Sequence, residues 1–126
     1  MSREFEIRSD DDYARSTDRG LIHAFLSTLP NVQMLSRNFG EYEVPAADLY
    51  LRIDLALYDE DGNFLDLDEP GREDENRVNA VQLHIAAGHA DKDRMHYYEA
   101  LGMTIARHLG WRLYEVGQGY IDTNAS

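Results

Sequence analysis

Between residues 49 and 58 apolar and polar side chains alternate. Leu49, Leu51, Ile53, Leu55 and Leu57 take every second position, and Tyr50, Arg52, Asp54, Ala56 and Tyr58 take the others. A period of two puts the sets on opposite faces of a strand. The same alternation over fewer residues predicts strands at Phe5 and Ile7, at 78–86 with Val81, Leu83 and Ile85 inward, and at 111–116 with Trp111 and Leu113 inward. Weaker signals mark a strand over 32–37, a break at Phe39-Gly40 with a continuation over 42–44, and a last pairing at Tyr120-Ile121.

The period changes twice. Leu21, Ile22, Phe25, Leu26 and Leu29 follow a spacing of three to four, which predicts a helix with Ser16 or Thr17 at its cap and Pro30-Asn31 at its end. Met95, Tyr98, Leu101, Ile105 and Leu109 predict a second helix over 91–109, with Gly110 ending it. His23 is expected at the margin of the core. Tyr97 is the aromatic residue of this helix expected outside.

Asp59-Glu60-Asp61-Gly62-Asn63 reads as a hairpin turn, with Phe64, Leu65 and Leu67 returning beside the long strand. The whole predicts a single α+β domain over 1–126. It would be a two-layer sandwich of a mostly antiparallel sheet with two helices on one face. A ferredoxin-like arrangement with an extra hairpin is one topology of that kind that fits the element order.

Composition sharpens the functional expectation. The 126 residues carry 24 Asp and Glu against 12 Lys and Arg, a net charge of −12, and no cysteine. Disulfides, cysteine-based zinc sites and thiol catalysis are thereby excluded. Nucleic acid is not expected as a direct ligand, because phosphate binding draws on Lys and Arg. The opening residues lack an apolar leader and no apolar run reaches membrane length, so the expected setting is the cytoplasm, with no membrane partner.

Two candidate surfaces follow. One is the polar face of the sheet: Tyr50, Arg52, Asp54 and Tyr58, beside Gln82 and His84, with Arg112 and Tyr114. Tyr and Arg combine large contact area with directional hydrogen bonds. The other is the segment 59–75, where Asp59, Glu60, Asp61, Asp66, Asp68, Glu69, Glu73, Asp74 and Glu75 face Arg72 alone. It therefore holds −8 of the total charge, a local field suited to a basic protein partner. The bland alternatives are a solvated sheet face and a solubilising loop.

Other chemistries fit less well. In the calcium-loop pattern Gly stands sixth and a bidentate Glu twelfth. Counted from Asp59, Gly62 is fourth and Pro70 twelfth. His84, His89, Asp91, Asp93 and His96 match no zinc spacing, so no metal or cofactor is implied. Asp54 and His84 on adjacent strands, with Arg52 for an anion and Tyr50 or Tyr114 as proton donor, would suit acid–base work, yet no nucleophile or phosphate-loop motif accompanies them. The expected function is a non-catalytic module that binds, and in doing so inhibits or neutralises, a basic protein. The alternatives are a small-ligand binder or enzyme on the polar sheet face, and a homodimer formed through that face.

Overall fold

The computed structural model describes residues 2–121. Its strands are β1 (Arg3–Arg8), β2 (Thr17–Asp18), β3 (Val32–Met34), β4 (Phe39–Val44), β5 (Leu49–Tyr58), β6 (Phe64–Leu65), β7 (Arg77–Val78), β8 (Ala80–Ile85), β9 (Arg112–Glu115) and β10 (Gly119–Ile121). The helices are α1 (Arg19–Ser27) and α2 (Met95–Leu109). The fold is α+β. An open antiparallel sheet runs in the order β10-β9-β1-β8-β5-β4-β3, with β6 paired to β5, and β2 and β7 form a separate two-stranded ribbon.

β5 organises the domain. Leu49, Leu51, Ile53, Leu55 and Leu57 are each no more than 4% exposed, and burying a side chain of this size contributes about 1.5–3 kcal/mol relative to exposure. They join Phe5, Ile7, Val81, Leu83, Ile85 and Leu113 from the sheet, Ile22 and Leu26 from α1, and Tyr98, Leu101 and Ile105 from α2 in one core. The helices share a face of the sheet, and the rings of Phe25 in α1 and His108 in α2 stack with centroids 3.5 Å apart. Gly102 lets α2 approach closely, since a Cβ there would lie 2.8 Å from a methyl of Leu113. Gly110 ends α2 at φ +69°, its N–H donating to the Ala106 and Arg107 carbonyls.

Several local expectations are corrected. The residue that caps α1 is Asp18, whose carboxylate accepts from the Leu21 N–H at 3.0 Å; neither Ser16 nor Thr17 does so. Leu21 lies outside the buried stripe, at 69% exposure. Phe39-Gly40 does not break a strand; it begins β4, which pairs with β3 and β5. α2 starts at Met95, because 87–94 form a 3-10 turn and tight turns. The strand expected over 78–86 is interrupted at Asn79. Among the described residues no helix is long and apolar enough to cross a membrane.

Candidate functional site

The register of the sheet fixes which outward side chains are neighbours. One row crosses six strands as Phe39, Asp54, Gln82, Glu6, Tyr114 and Tyr120; the next runs Glu41, Arg52, His84 and Glu4. All eight expected sheet-face residues lie on this side. They fall into two groups with different surroundings.

The first group is closed over except for Arg112, which is exposed. After β1 the chain folds back across the sheet, and Tyr13 stacks on Tyr58 with centroids 4.2 Å apart. Beneath it lies Glu6, only 6% exposed. Its carboxylate accepts from Tyr13 Oη at 2.7 Å, Arg8 Nη1 at 2.9 Å and Gln82 Nε2 at 2.9 Å. Gln82 also donates to Tyr58 Oη, and Arg8 donates to Tyr120 Oη and Asp11. Tyr120 in turn bonds Asp11. The Arg8 guanidinium lies 4.2 Å from the Tyr114 ring centroid, and that of Arg112 lies 3.7 Å from the Tyr120 centroid.

A buried carboxylate is tolerated when its charge is paired and its lone pairs are filled, and this network meets both conditions. Its titrations follow. Burial and the Glu6 carboxylate push the Tyr13 phenol up, and burial with Glu6 does the same to Tyr58. Burial alone would lower the Arg8 guanidinium. Hydrogen bonds with Tyr120 and Tyr13 and the Glu6 charge reverse the sign and hold it above its ordinary value. Tyr58, Gln82 and Tyr114 are therefore tied into the structure of this face, and Arg112 meets it through the Tyr120 ring.

The second group is open. Arg52 donates to Asp54 at 2.9 and 3.1 Å and lies over Phe39, with 4.4 Å to the ring centroid. The Asp54 hydrogen bond raises the Arg52 guanidinium. His84 sits between two carboxylates, Nδ1 at 3.0 Å from Glu4 and Nε2 at 3.4 Å from Asp54. Arg52, Asp54 and His84 thus come together. The suggested proton donors do not join them, since Tyr50 Oη donates to Glu41 at 3.0 Å and Tyr114 is under Arg8. Among the described residues no group of three or more His, Asp or Glu side chains is placed to hold a metal ion.

The acidic segment is anchored rather than loose. Asp59 Oδ1 accepts from the N–H groups of Asp61 and Asn63, and the Asn63 amide leads the causes that hold its carboxyl below the ordinary range. Leu67 is buried, Asp68 accepts from Asn38, Glu69 pairs with Arg72, and Glu75 pairs with Arg77. The Arg77 hydrogen bond lowers the Glu75 carboxyl. Glu60, Asp61 and Asp74 are exposed, and their carboxylates have no partner among the described residues.

Where this segment meets the sheet there is a cavity of about 640 Å3. Asp12, Asp59, Glu60 and Asp61 line it together with the stacked Tyr13 and Tyr58; its one basic residue, Arg77, is occupied by Glu75. Asn79 is part of its wall. Its side chain takes the place of the interrupted strand, accepting from the Tyr58 N–H and donating to the Tyr58 carbonyl, both at 2.9 Å.

Sequence reasoning missed Tyr13, Glu6 and Asn79. The run Ser9-Asp10-Asp11-Asp12 marks a turn, but nothing local shows that the tyrosine after it reaches across the sheet. Asn79 had a signal: a polar amide inside an apolar strand pattern marks an interruption. Comparison with protein-family models, with curated proteins and with solved structures gave no match.

Proposed function

We propose that this chain is a non-catalytic interaction module that captures a basic protein. The acidic segment steers the encounter, and the cavity at its base receives a Lys or Arg side chain of the partner. One observation carries this reading: four carboxylates and a stacked tyrosine pair line a single cavity in which the only basic residue is already paired. A cation entering it meets unneutralised negative charge and aromatic surface together, and both attractions strengthen as water is displaced. Covering a basic active surface in this way would neutralise the partner. We place the interaction in the cytoplasm, since a cysteine-free chain draws nothing from an oxidising compartment.

The test uses an arginine-rich peptide as probe and fluorescence anisotropy as readout. Affinity is expected to fall steeply as salt is raised, and to fall at least tenfold in the double variant Glu60→Gln/Asp61→Asn. Affinity that is indifferent to salt, or unchanged in the variant, contradicts the reading.

A second reading rests on the His84 side chain between Glu4 and Asp54 with Arg52 alongside, an arrangement suited to a small polar ligand. A ligand that raises the unfolding temperature of the wild type but not of His84→Ala would favour it. A homodimer through the same open surface is the third use, and sedimentation separates it from a monomer.

A further inference from the structure

At the start of α1, Arg19 is only 3% exposed. Its guanidinium donates from Nη1 to Asn38 Oδ1 at 2.7 Å and from Nη2 to the Glu73 carbonyl at 3.3 Å, while the buried Nε has no acceptor among the described residues. Arg37, in the turn between β3 and β4, donates to the same Glu73 carbonyl at 3.1 Å. Two guanidinium groups therefore converge on one neutral oxygen. Neither forms an ion pair with a carboxylate among the described residues, although the chain has twice as many acids as bases.

Glu73 directs its own carboxylate to the Gly71 N–H at 3.0 Å, and Glu75, Asp68 and Asp18 act on Arg19 through their charge without forming an ion pair with it. Burial, followed by the charge of Arg37, lowers the Arg19 guanidinium from its ordinary value. An unpaired buried donor on a charged group is costly. Arg19, Gly20, His23 and Arg37 line a cavity of about 170 Å3 at this point. That is below the ~300 Å3 at which drug-sized pockets begin.

We propose that this cavity binds one oxyanion group, a phosphate or a carboxylate carried by a small molecule. Arg19 and Arg37 supply the hydrogen-bond donors. Guanidinium donors match both anions in geometry. Because both arginines also hold Glu73, the bound anion would remove the repulsion between them and fasten the far end of the acidic segment. This site is separate from the cavity beside Tyr58 and stands or falls independently of the basic-partner reading.

The experiment is thermal unfolding in sodium phosphate, sodium acetate and sodium chloride at matched pH and ionic strength. A saturable rise in melting temperature beyond that in chloride is expected. A rise with phosphate alone assigns a phosphate group, a rise with acetate alone assigns a carboxylate, and a rise with both assigns a general oxyanion site. Arg37→Ala, at an exposed position, should weaken apparent affinity at least tenfold. Arg19→Lys, which keeps the charge but lacks the Nε donor, should weaken it as well, and Arg52→Ala should leave it unchanged. No rise beyond chloride, or a full rise in Arg37→Ala, overturns the proposal.

Discussion

The polar side of the sheet around Glu6 and the segment 59–75 are both rich in charge, but their charges are used differently. Around Glu6 every carboxylate oxygen meets a donor, and Tyr13 and Tyr58 form a cover. Along 59–75 some carboxylates organise turns, while Glu60, Asp61 and Asp74 face solvent with no partner among the described residues. A charged residue whose hydrogen bonds are filled contributes to folding and specificity. One left unpaired in water contributes little to folding and remains available for long-range attraction. The contrast separates a polar surface that holds the domain together from one that is free to meet another molecule.

The contrast breaks most visibly at Glu6. Glu6→Ala leaves Arg8, Tyr13 and Gln82 without their shared acceptor, and it should lower the free energy of unfolding by about 3 kcal/mol in urea titrations. A loss comparable to that of an exposed substitution would mean that the network is not structural. Asn79→Ala removes both hydrogen bonds to the Tyr58 backbone and should cost about 2 kcal/mol in the same assay. It should also alter peptide binding, since Tyr58 forms the cavity wall.

Alkaline pH sharpens the same comparison. The Tyr13, Tyr58 and Tyr120 phenols are all raised by burial, with Glu6 or Asp11 adding to the shift. The folded state therefore holds protons that the unfolded chain releases near the ordinary tyrosine value of about 10. Stability from these groups is complete below pH ~10 and declines as pH rises from there toward their folded values. Urea midpoints measured across that range should fall, with a shallower slope in Tyr13→Phe. A midpoint constant above pH ~10 would contradict the assignment. The smallest stability effect is expected for Glu60→Gln/Asp61→Asn/Asp74→Asn, within about 0.5 kcal/mol of the wild type. A large change there would show that the acidic segment is structural after all.

The long strand was legible because all five apolar residues at alternate positions between Leu49 and Leu57 face the core, so pattern and burial coincide. β4 was harder to read. Gly40 looks like a breaker, yet it is needed where a Cβ would lie 2.6 Å from the Gln33 carbonyl oxygen, a contact visible only after the strands pair. α1 is nine residues long, and its stripe narrows to Ile22, Leu26 and the partly buried Phe25, with Leu21 on the flank. The sheet-face residues were placed on the correct side by alternation alone. Alternation has no means of showing that Tyr13, in the 9–16 loop, would close over Tyr58, because the two are brought together by tertiary folding. The burial of Arg19 was equally hidden, as an arginine in the first turn of a helix is ordinarily exposed.

The proposed recognition surface consists of the free charge of 59–75 and the cavity beside Tyr58. It is tested most directly by following backbone amide resonances of the 15N-labelled protein during titration with the arginine-rich peptide. Shifts are expected to concentrate at 12–16, 58–62 and 77–79 and to be abolished by added salt. Shifts centred on Arg52 and His84, or no localised shifts at all, would contradict it.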